Sequence, residues 1–414
     1  TVYSVKRLIG RPYYSNEIRV AQDHYPYPVV CGNDNNPKVK VQGLEFSPEE
    51  VSAMVLRRMR QLAERYLGQT VDRAVITVPA NFDEAQRLAT KTAGEIAGLH
   101  VLRILNEPTA AALAYGYGED RRETVAIYDF GGGTFDITVL NLRGSIFEVL
   151  STAGDTYLGG DDFDNRLVEY MVGAFQHRYA FDLSTDIVAM QRLRNIAEKL
   201  KCELSHKERV AVHIKERIPD AKEPVTLSFS VGSDGFSERC SDIVKRALLV
   251  CDEAMRLSGL TTSDIDHVVL VGGSTRVPMV SDLVSQYFGR TPVSGVNPDE
   301  VVAVGAAIYA ATFDEHYYSE SDIPLMEDGE EWPDEASTNP TQELNLSASA
   351  PDPLPFDEPI ARTTQALLID VTPGALGVAT AGGYCDTIIE RNETIPTERK
   401  RVFTTSKENQ DQVR

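Results

Sequence analysis

The chain lacks most of what would commit it to a metal, a disulfide framework or a membrane. Its five cysteines (Cys31, Cys202, Cys240, Cys251 and Cys385) are odd in number, widely scattered and form no CxxC, which suits reduced thiols and gives zinc little to bind. The seven histidines show no HxxxH or HExxH spacing, so none is expected to be a ligand. No apolar run approaches the length of a membrane span and no signal peptide opens the sequence, so a soluble, cytoplasmic protein is expected. Positive charge is also in deficit. The 41 Lys and Arg face 62 Asp and Glu, and a formal net charge of −21 argues against a nucleic-acid backbone as partner. Two-thirds of that charge sits in one place, because residues 313–360 hold 14 Asp and Glu, seven Pro and no Lys or Arg. That composition predicts a disordered insert in an otherwise mildly acidic body. With 414 residues and 42% apolar content, the remainder is ample for a large core.

What is present is a set of glycine turns. Residues 125–140, VAIYDFGGGTFDITVL, place Gly131, Gly132 and Gly133 between two β-branched, apolar runs. Glycines there can take φ > 0 and bring bare amides against an anion, Thr134 adds a hydroxyl, and Asp129 and Asp136 can orient a hydrated Mg²⁺. The alternative is a hairpin turn whose polar residues merely cap it. Two more turns follow. Gly159 and Gly160 precede an acidic helix start in GDTYLGGDDFD (154–164), and Gly272, Gly273 and Ser274 end a buried strand in VVLVGGSTRVPMV (268–280), at an expected helix N-terminus. Neither is GxxxxGKS/T or GxGxxG, and each alone is explained as well by steric need at a strand-to-helix turn. Three separated turns together suggest a nucleotide held between two lobes.

The elements alternate. Ser47, Pro48 and Glu50 supply a capping box with proline at N1, and Val51, Met54, Val55, Met59, Leu62 and Tyr66 then recur at helical spacing up to Gly68, predicting an amphipathic helix. A strand over 74–78, a helix over 83–97, a strand over 101–105 and a helix through Tyr115 lead into the glycine hairpin, which implies a mixed sheet with helices on its faces. Residues 161–206 read as mostly helical and 209–230 as β-rich.

Taken in order, VKRLIGR (5–11), ITVPANFDEAQRLATKTAGEIAGL (76–99), RILNEPTAAALAYG (103–116), YDFGGGTFD, GDTYLGGDDFD, VGGSTRVP and NPDEVVAVGAA (297–307) resemble the ATPase domain of the seventy-kilodalton heat-shock (DnaK-type) chaperones. Residues 367–412 are similar to that family's interdomain linker and the first strands of its substrate-binding β-sandwich. The resemblance implies an α/β, actin-like two-lobed ATPase domain over 1–312, the acidic insert over 313–365, a linker over 366–370 and the start of an all-β substrate-binding domain over 371–414. It also implies ATP and ADP as ligands with Mg²⁺, unfolded polypeptide clients, and a J-domain co-chaperone and nucleotide-exchange factor as partners.

Residue by residue, the resemblance makes Lys6 the catalytic lysine that positions the attacking water. Glu107 and Asp129 fall in the Mg²⁺ and water shell, and Thr134 and Asp136 on the γ-phosphate side. Gly131, Gly132, Gly133, Gly159 and Gly160 line the phosphates. Glu198 and Lys201 correspond to ribose contacts and Ser205 to an adenine contact, while Gly272, Gly273, Ser274, Arg276 and Asp299 line the adenine pocket. Cys202 stands where many members carry a second stacking arginine. Pro79 and Arg87 correspond to the relay between nucleotide and linker, Leu367, Leu368 and Asp370 to the linker, and Val378, Ala381 and Ser406 to peptide contacts.

Two departures qualify the match. The family's DxGTT-like first phosphate loop is absent from a sequence beginning TVYSVKRLIGR, and Arg414 falls before most of the sandwich, so a fragment or truncated reading frame is expected. The leading expectation is an ATP-driven chaperone. A catalytically inactive scaffold is the alternative, and a cytoskeletal or sugar-kinase relative is disfavoured by residues 367–412.

Overall fold

The glycine hairpin forms the centre of a six-stranded mixed sheet. Its arms, Arg122–Phe130 and Phe135–Arg143, pair antiparallel with Asp129 opposite Asp136 and Phe130 opposite Phe135. Ile146–Asp155 continues the meander, His267–Val271 runs parallel to the first arm, and Leu367–Val371 runs parallel to Ile146–Asp155 with Thr394–Ile395 at the outer edge. The structure is a computed structural model that describes residues 2–218 (the backbone alone at 23 and 24), 221–313, 366–380 and 384–404. All but Phe313 of the expected insert, and also Ala381 and Ser406, lie outside the described residues. Among the described residues no helix is long and apolar enough to cross a membrane.

Both faces of this sheet are buried, which is why its strands read as continuous apolar runs. Side chains alternate across it. Tyr128, Phe130, Phe135 and Ile137 face the larger core, where Phe130 meets Phe135 and Phe163 at ring separations of 5.5 and 5.7 Å. Each such ring contributes about 1.5–3 kcal/mol through burial, so the glycine turn stands on a rigid aromatic footing. Val125, Ile127, Leu140 and Leu142 face the opposite core, and Asp129 and Asp136 end that same face.

That second face is covered by the helix Glu107–Gly116, whose ten residues include eight that are buried. A helix apolar on every side belongs between layers. It separates the parallel pair Arg73–Val78 and His100–Asn106 from the large sheet, so the single mixed sheet expected from the alternating elements is two sheets with a helix between them. The helix Val301–Ala311 crosses it so closely that a Cβ on Gly305 would lie 1.7 Å from the Ala110 carbonyl oxygen.

The helix Pro48–Leu67 carries the expected capping box, with the Ser47 amide 2.6 Å from Glu50 Oε2 and the Glu50 amide 3.1 Å from Ser47 Oγ. Its apolar stripe does not face the core. Met54, Val55, Met59, Leu62 and Tyr66 are exposed, and the contact with the helix Glu84–Ile96 is made by small residues, with Ala53 buried against Ala93 and Ala97. Close approach of two helices selects small side chains at the seam, so the large ones turn outward. The helices Gly160–Tyr179, Ile187–Leu204, Ser233–Ser258 and Pro278–Phe288 pack on the larger core together with the hairpin Arg209–Glu216 and Val225–Gly232. Past the linker strand, Leu376–Ala379 and Cys385–Ile389 form a small antiparallel pair that carries Val378.

The Gly305 contact gives a direct stability prediction. Gly305→Ala forces two closely packed helices apart and is expected to cost about 1–3 kcal/mol, or more. A lower urea midpoint with an unchanged m-value is the expected readout; an unchanged midpoint would mean that the helices do not touch there.

Candidate functional site

The three glycine turns, far apart in sequence, meet at one point. The Gly131 carbonyl accepts the Gly160 amide at 3.0 Å and the Ser274 hydroxyl at 2.8 Å, and the Gly132 carbonyl accepts the Asp161 amide at 2.8 Å. Contact this close explains the glycines of the second and third turns. A Cβ on Gly159 would lie 2.6 Å from the Gly132 oxygen, and one on Gly272 would lie 2.5 Å from the Phe130 oxygen. Gly272 also has φ +84°, which other residues reach only with strain.

Two expectations about these turns are corrected. Gly131, Gly132 and Gly133 are not among the glycines with positive φ. Their lack of a side chain matters instead for space, since a Cβ on Gly132 would project where no protein atom lies within 4 Å. The third turn does not open an α-helix directly either. Gly273–Arg276 form a 3₁₀ turn, and the α-helix starts at Pro278, whose ring suits the first helical position. The Gly131 amide donates to the Thr134 carbonyl and the Gly159 amide to the Asp162 carboxylate. Among the described residues, the amides of Gly132 and Gly133 have no acceptor. They are among the donors that remain for an anion.

Beside the turns is a charge cluster. Lys6, on a short 3₁₀ turn, puts Nζ 2.5 Å from Glu107 Oε1 at the start of the buried helix, facing the Asp129 and Asp136 carboxylates. Desolvation lowers the Lys6 pKa, but Glu107, Asp129 and Asp136 outweigh it and hold the ammonium above its ordinary value. Burial, then Glu107, pushes Asp129 up to about 7 against the opposing pull of Lys6. Burial, then Asp129 and Glu107, raises Asp136 well above the usual carboxylate range, although it accepts the Asn81 amide at 3.3 Å. Like charges placed directly across a strand pair destabilise it. Three carboxylates with one ammonium leave an excess of negative charge that a divalent cation would relieve. The donors are all oxygens, which fits Mg²⁺; among the described residues no three His, Cys, Asp or Glu converge closely enough to ligate a metal directly, so such an ion would be held through water. Buried Thr134 lies beside this cluster in the chain.

Around the opposite end, Lys201 donates to the Gly160 carbonyl at 3.1 Å and to Asp164 at 2.9 Å, tying the helix Ile187–Leu204 to the second turn. Burial raises Asp164 to about 6 despite that lysine. Glu198 and Cys202 are exposed on the same helix, and Ser205 at its end donates back to the Lys201 carbonyl. Arg276 is gripped by Asp299 at 2.9 and 2.6 Å and by Asn297 at 3.0 Å, which fixes the plane of its guanidinium. Gly273 stands against Asp299, where a Cβ would lie 3.2 Å from its carboxylate.

Sequence reasoning missed what locks the turns. Arg7, only 6% exposed, donates from Nε to the Gly133 carbonyl at 2.9 Å and from Nη2 to Asp162 at 3.2 Å, stacks on Tyr157, and has its neighbour Ser4 bonded to Asp161. Gly154 was missed as well, and its absent side chain leaves room for Asn81 and Asp136. The one available signal was a second basic residue directly after Lys6. The segment expected to be a linker forms the strand Leu367–Val371. Leu367 and Leu368 pair with Ile146 and Phe147, and Asp370 accepts Asn106 Nδ2 at 2.7 Å and Thr109 Oγ1 at 3.4 Å. Arg87 acts on Asp370 electrostatically while donating to the Phe82 and Ala80 carbonyls at 3.0 and 3.1 Å, and the Pro79 carbonyl accepts the Phe82 amide at 3.1 Å.

A comparison with protein families finds a match. The family model described as Hsp70 protein matches residues 1–326 and 357–414, leaving only part of the acidic insert unmatched.

The raised Asp129 pKa has a consequence for stability. A carboxylate that keeps its proton more tightly when folded favours folding below its ordinary pKa, and that advantage is lost as pH rises from about 4 to about 7, by at most about 1.4 kcal/mol per unit. Asp129→Asn is therefore expected to be more stable than the parent chain at pH 8 and equal to it at pH 4 in urea unfolding. An equal difference at both values would contradict the buried-carboxylate origin.

Proposed function

The chain belongs to the Hsp70 family, and on that premise we propose that it binds ATP and Mg²⁺ over the three glycine turns and hydrolyses the γ-phosphate. The cycle would drive binding and release of unfolded polypeptides in protein folding. The proposed frame is the actin-like, two-lobed ATPase domain over 1–312, followed by the insert, the linker and the start of a substrate-binding sandwich. The observation that carries the proposal is the convergence of the turns next to Lys6, Glu107, Asp129 and Asp136, with two amides left to donate.

In this proposal the Gly132 and Gly133 amides and the Thr134 hydroxyl hold the β- and γ-phosphate oxygens. Lys6, oriented by Glu107, positions the attacking water and offsets charge at the γ-phosphate. Asp129 and Asp136 would orient the hydrated cation, and one of the two carboxylates accepts the proton of the attacking water. Bound Mg²⁺ supplies charge neutralisation at the phosphate oxygens. Arg276, its plane set by Asp299, stacks on adenine, and Glu198, Lys201 and Ser205 contact the nucleoside, with Lys201 giving up part of its hold on Asp164.

The coupling route is short. Asn106, which grips Asp370 of the linker, is followed directly by Glu107, which grips Lys6. A shift at the start of that helix is therefore felt both at the nucleotide and at the linker, with Pro79 and Arg87 alongside. Unfolded clients, a J-domain co-chaperone and a nucleotide-exchange factor are the partners proposed, in the cytoplasm, with peptide contacts at Val378, Ala381 and Ser406.

Lys6→Ala is expected to lower Mg²⁺-dependent ATP turnover at least about a hundredfold while changing the ATP dissociation constant little, read by phosphate release and calorimetry. Unchanged turnover would remove Lys6 from the mechanism, and no ATP binding by the parent chain would favour an inactive scaffold. Asp370→Ala is expected to speed proteolysis within residues 366–372; equal cleavage rates would mean that the linker strand is not held by Asn106.

A further inference from the structure

Between the N-terminal residues and the helices Gly160–Tyr179 and Ile187–Leu204 lies a crevice of about 490 Å³. Tyr3 and Tyr25 form one wall, Val168 and Met190 the other. None of its lining residues belongs to the glycine turns or to the Lys6 cluster. Arg194 closes one end, with its guanidinium 4.3 Å from the centre of the Tyr3 ring and its Nη2 bonded to the neutral side chain of Asn165.

This arginine is unusual. Among the described residues no carboxylate lies within ion-pair distance of it, Glu198 acting only from farther along the same helix, and burial pulls its pKa down to about 10. A buried cation normally has an anionic partner, because desolvating it alone is costly. Stacking on Tyr3 offsets part of that cost and supplies no acceptor. The Tyr3 hydroxyl is also buried with no hydrogen-bond partner, whereas the Tyr25 hydroxyl faces Arg7. A cation without an anionic partner and an unpaired tyrosine hydroxyl beside an aromatic slot define the missing chemistry: a flat ring bearing an anionic oxygen pair.

We propose that this crevice is a second ligand site, distinct from the nucleotide site, that takes a small aromatic carboxylate with its ring between the tyrosines and Met190 and its carboxylate on Arg194 and a tyrosine hydroxyl. A ligand seated there touches both walls. It holds the segment carrying Ser4 and Arg7 against the helices, and those residues in turn clamp the glycine turns. Occupancy thus resists separation of the two sides of the cleft.

The test uses the 414-residue chain and 2-naphthoate as probe, with 2-naphthamide as the neutral control. Calorimetry is expected to show 2-naphthoate binding that is roughly tenfold or more weaker in Arg194→Gln, as loss of a charge-assisted pair implies, while 2-naphthamide binds both forms alike. Met190→Trp, which fills the slot and keeps Arg194, is expected to abolish binding of both probes. Lys6→Ala is expected to leave 2-naphthoate binding unchanged, which separates this site from the nucleotide reading. No binding of 2-naphthoate to the parent chain, or equal binding in Arg194→Gln and Met190→Trp, would overturn the proposal.

Discussion

The carbonyl of Gly131 holds the site together. It accepts one hydrogen bond from the Gly160 amide and one from the Ser274 hydroxyl, so a single backbone oxygen joins three segments that are distant in the chain. A carbonyl has two lone pairs, and both are used here. The geometry leaves no room for side chains on Gly159 or Gly272, and it depends on the aromatic packing of Phe130, Phe135 and Phe163 below the hairpin to keep the turn from moving. Arg7 closes the same assembly from the N-terminal side.

Against that rigid cradle, the charge cluster is a strained arrangement. Asp129 and Asp136 face each other across the hairpin, Glu107 adds a third carboxylate, and Lys6 opposes them, with Arg87 acting on Asp136 as well. Nothing in the folding of the sheet requires this, since apolar residues at those positions would extend the core already built by Ile127 and Leu140. Stability given up in a buried site is the usual mark of a site kept for its chemistry. The chain's membership of the Hsp70 family accords with a site kept for such a purpose.

Much of the site was legible in sequence because its residues are clustered in short glycine-rich stretches whose order is distinctive. The hairpin and the capped helices were read at nearly their observed bounds. What escaped were consequences of three-dimensional neighbours. Local pattern gave Met54, Met59 and Tyr66 an apolar face, yet the seam they flank is made by Ala53 and Ala93. Alternating strands and helices suggested one sheet, while a helix apolar on all sides divides it. The glycines of the hairpin looked conformational, but they keep space open instead. Arg7 gave no sequence signal beyond its place next to Lys6, because its partners Gly133 and Asp162 come from elsewhere in the chain.

The central claim is that the three turns act as one phosphate cradle, and hydrogen–deuterium exchange with and without ATP and Mg²⁺ tests it most directly. Slower exchange is expected together in peptides spanning 130–136, 157–162 and 271–277, with the largest change at Gly132 and Gly133, whose amides are unbonded in the protein alone. Protection confined to one turn, or no change in any of them, would contradict it.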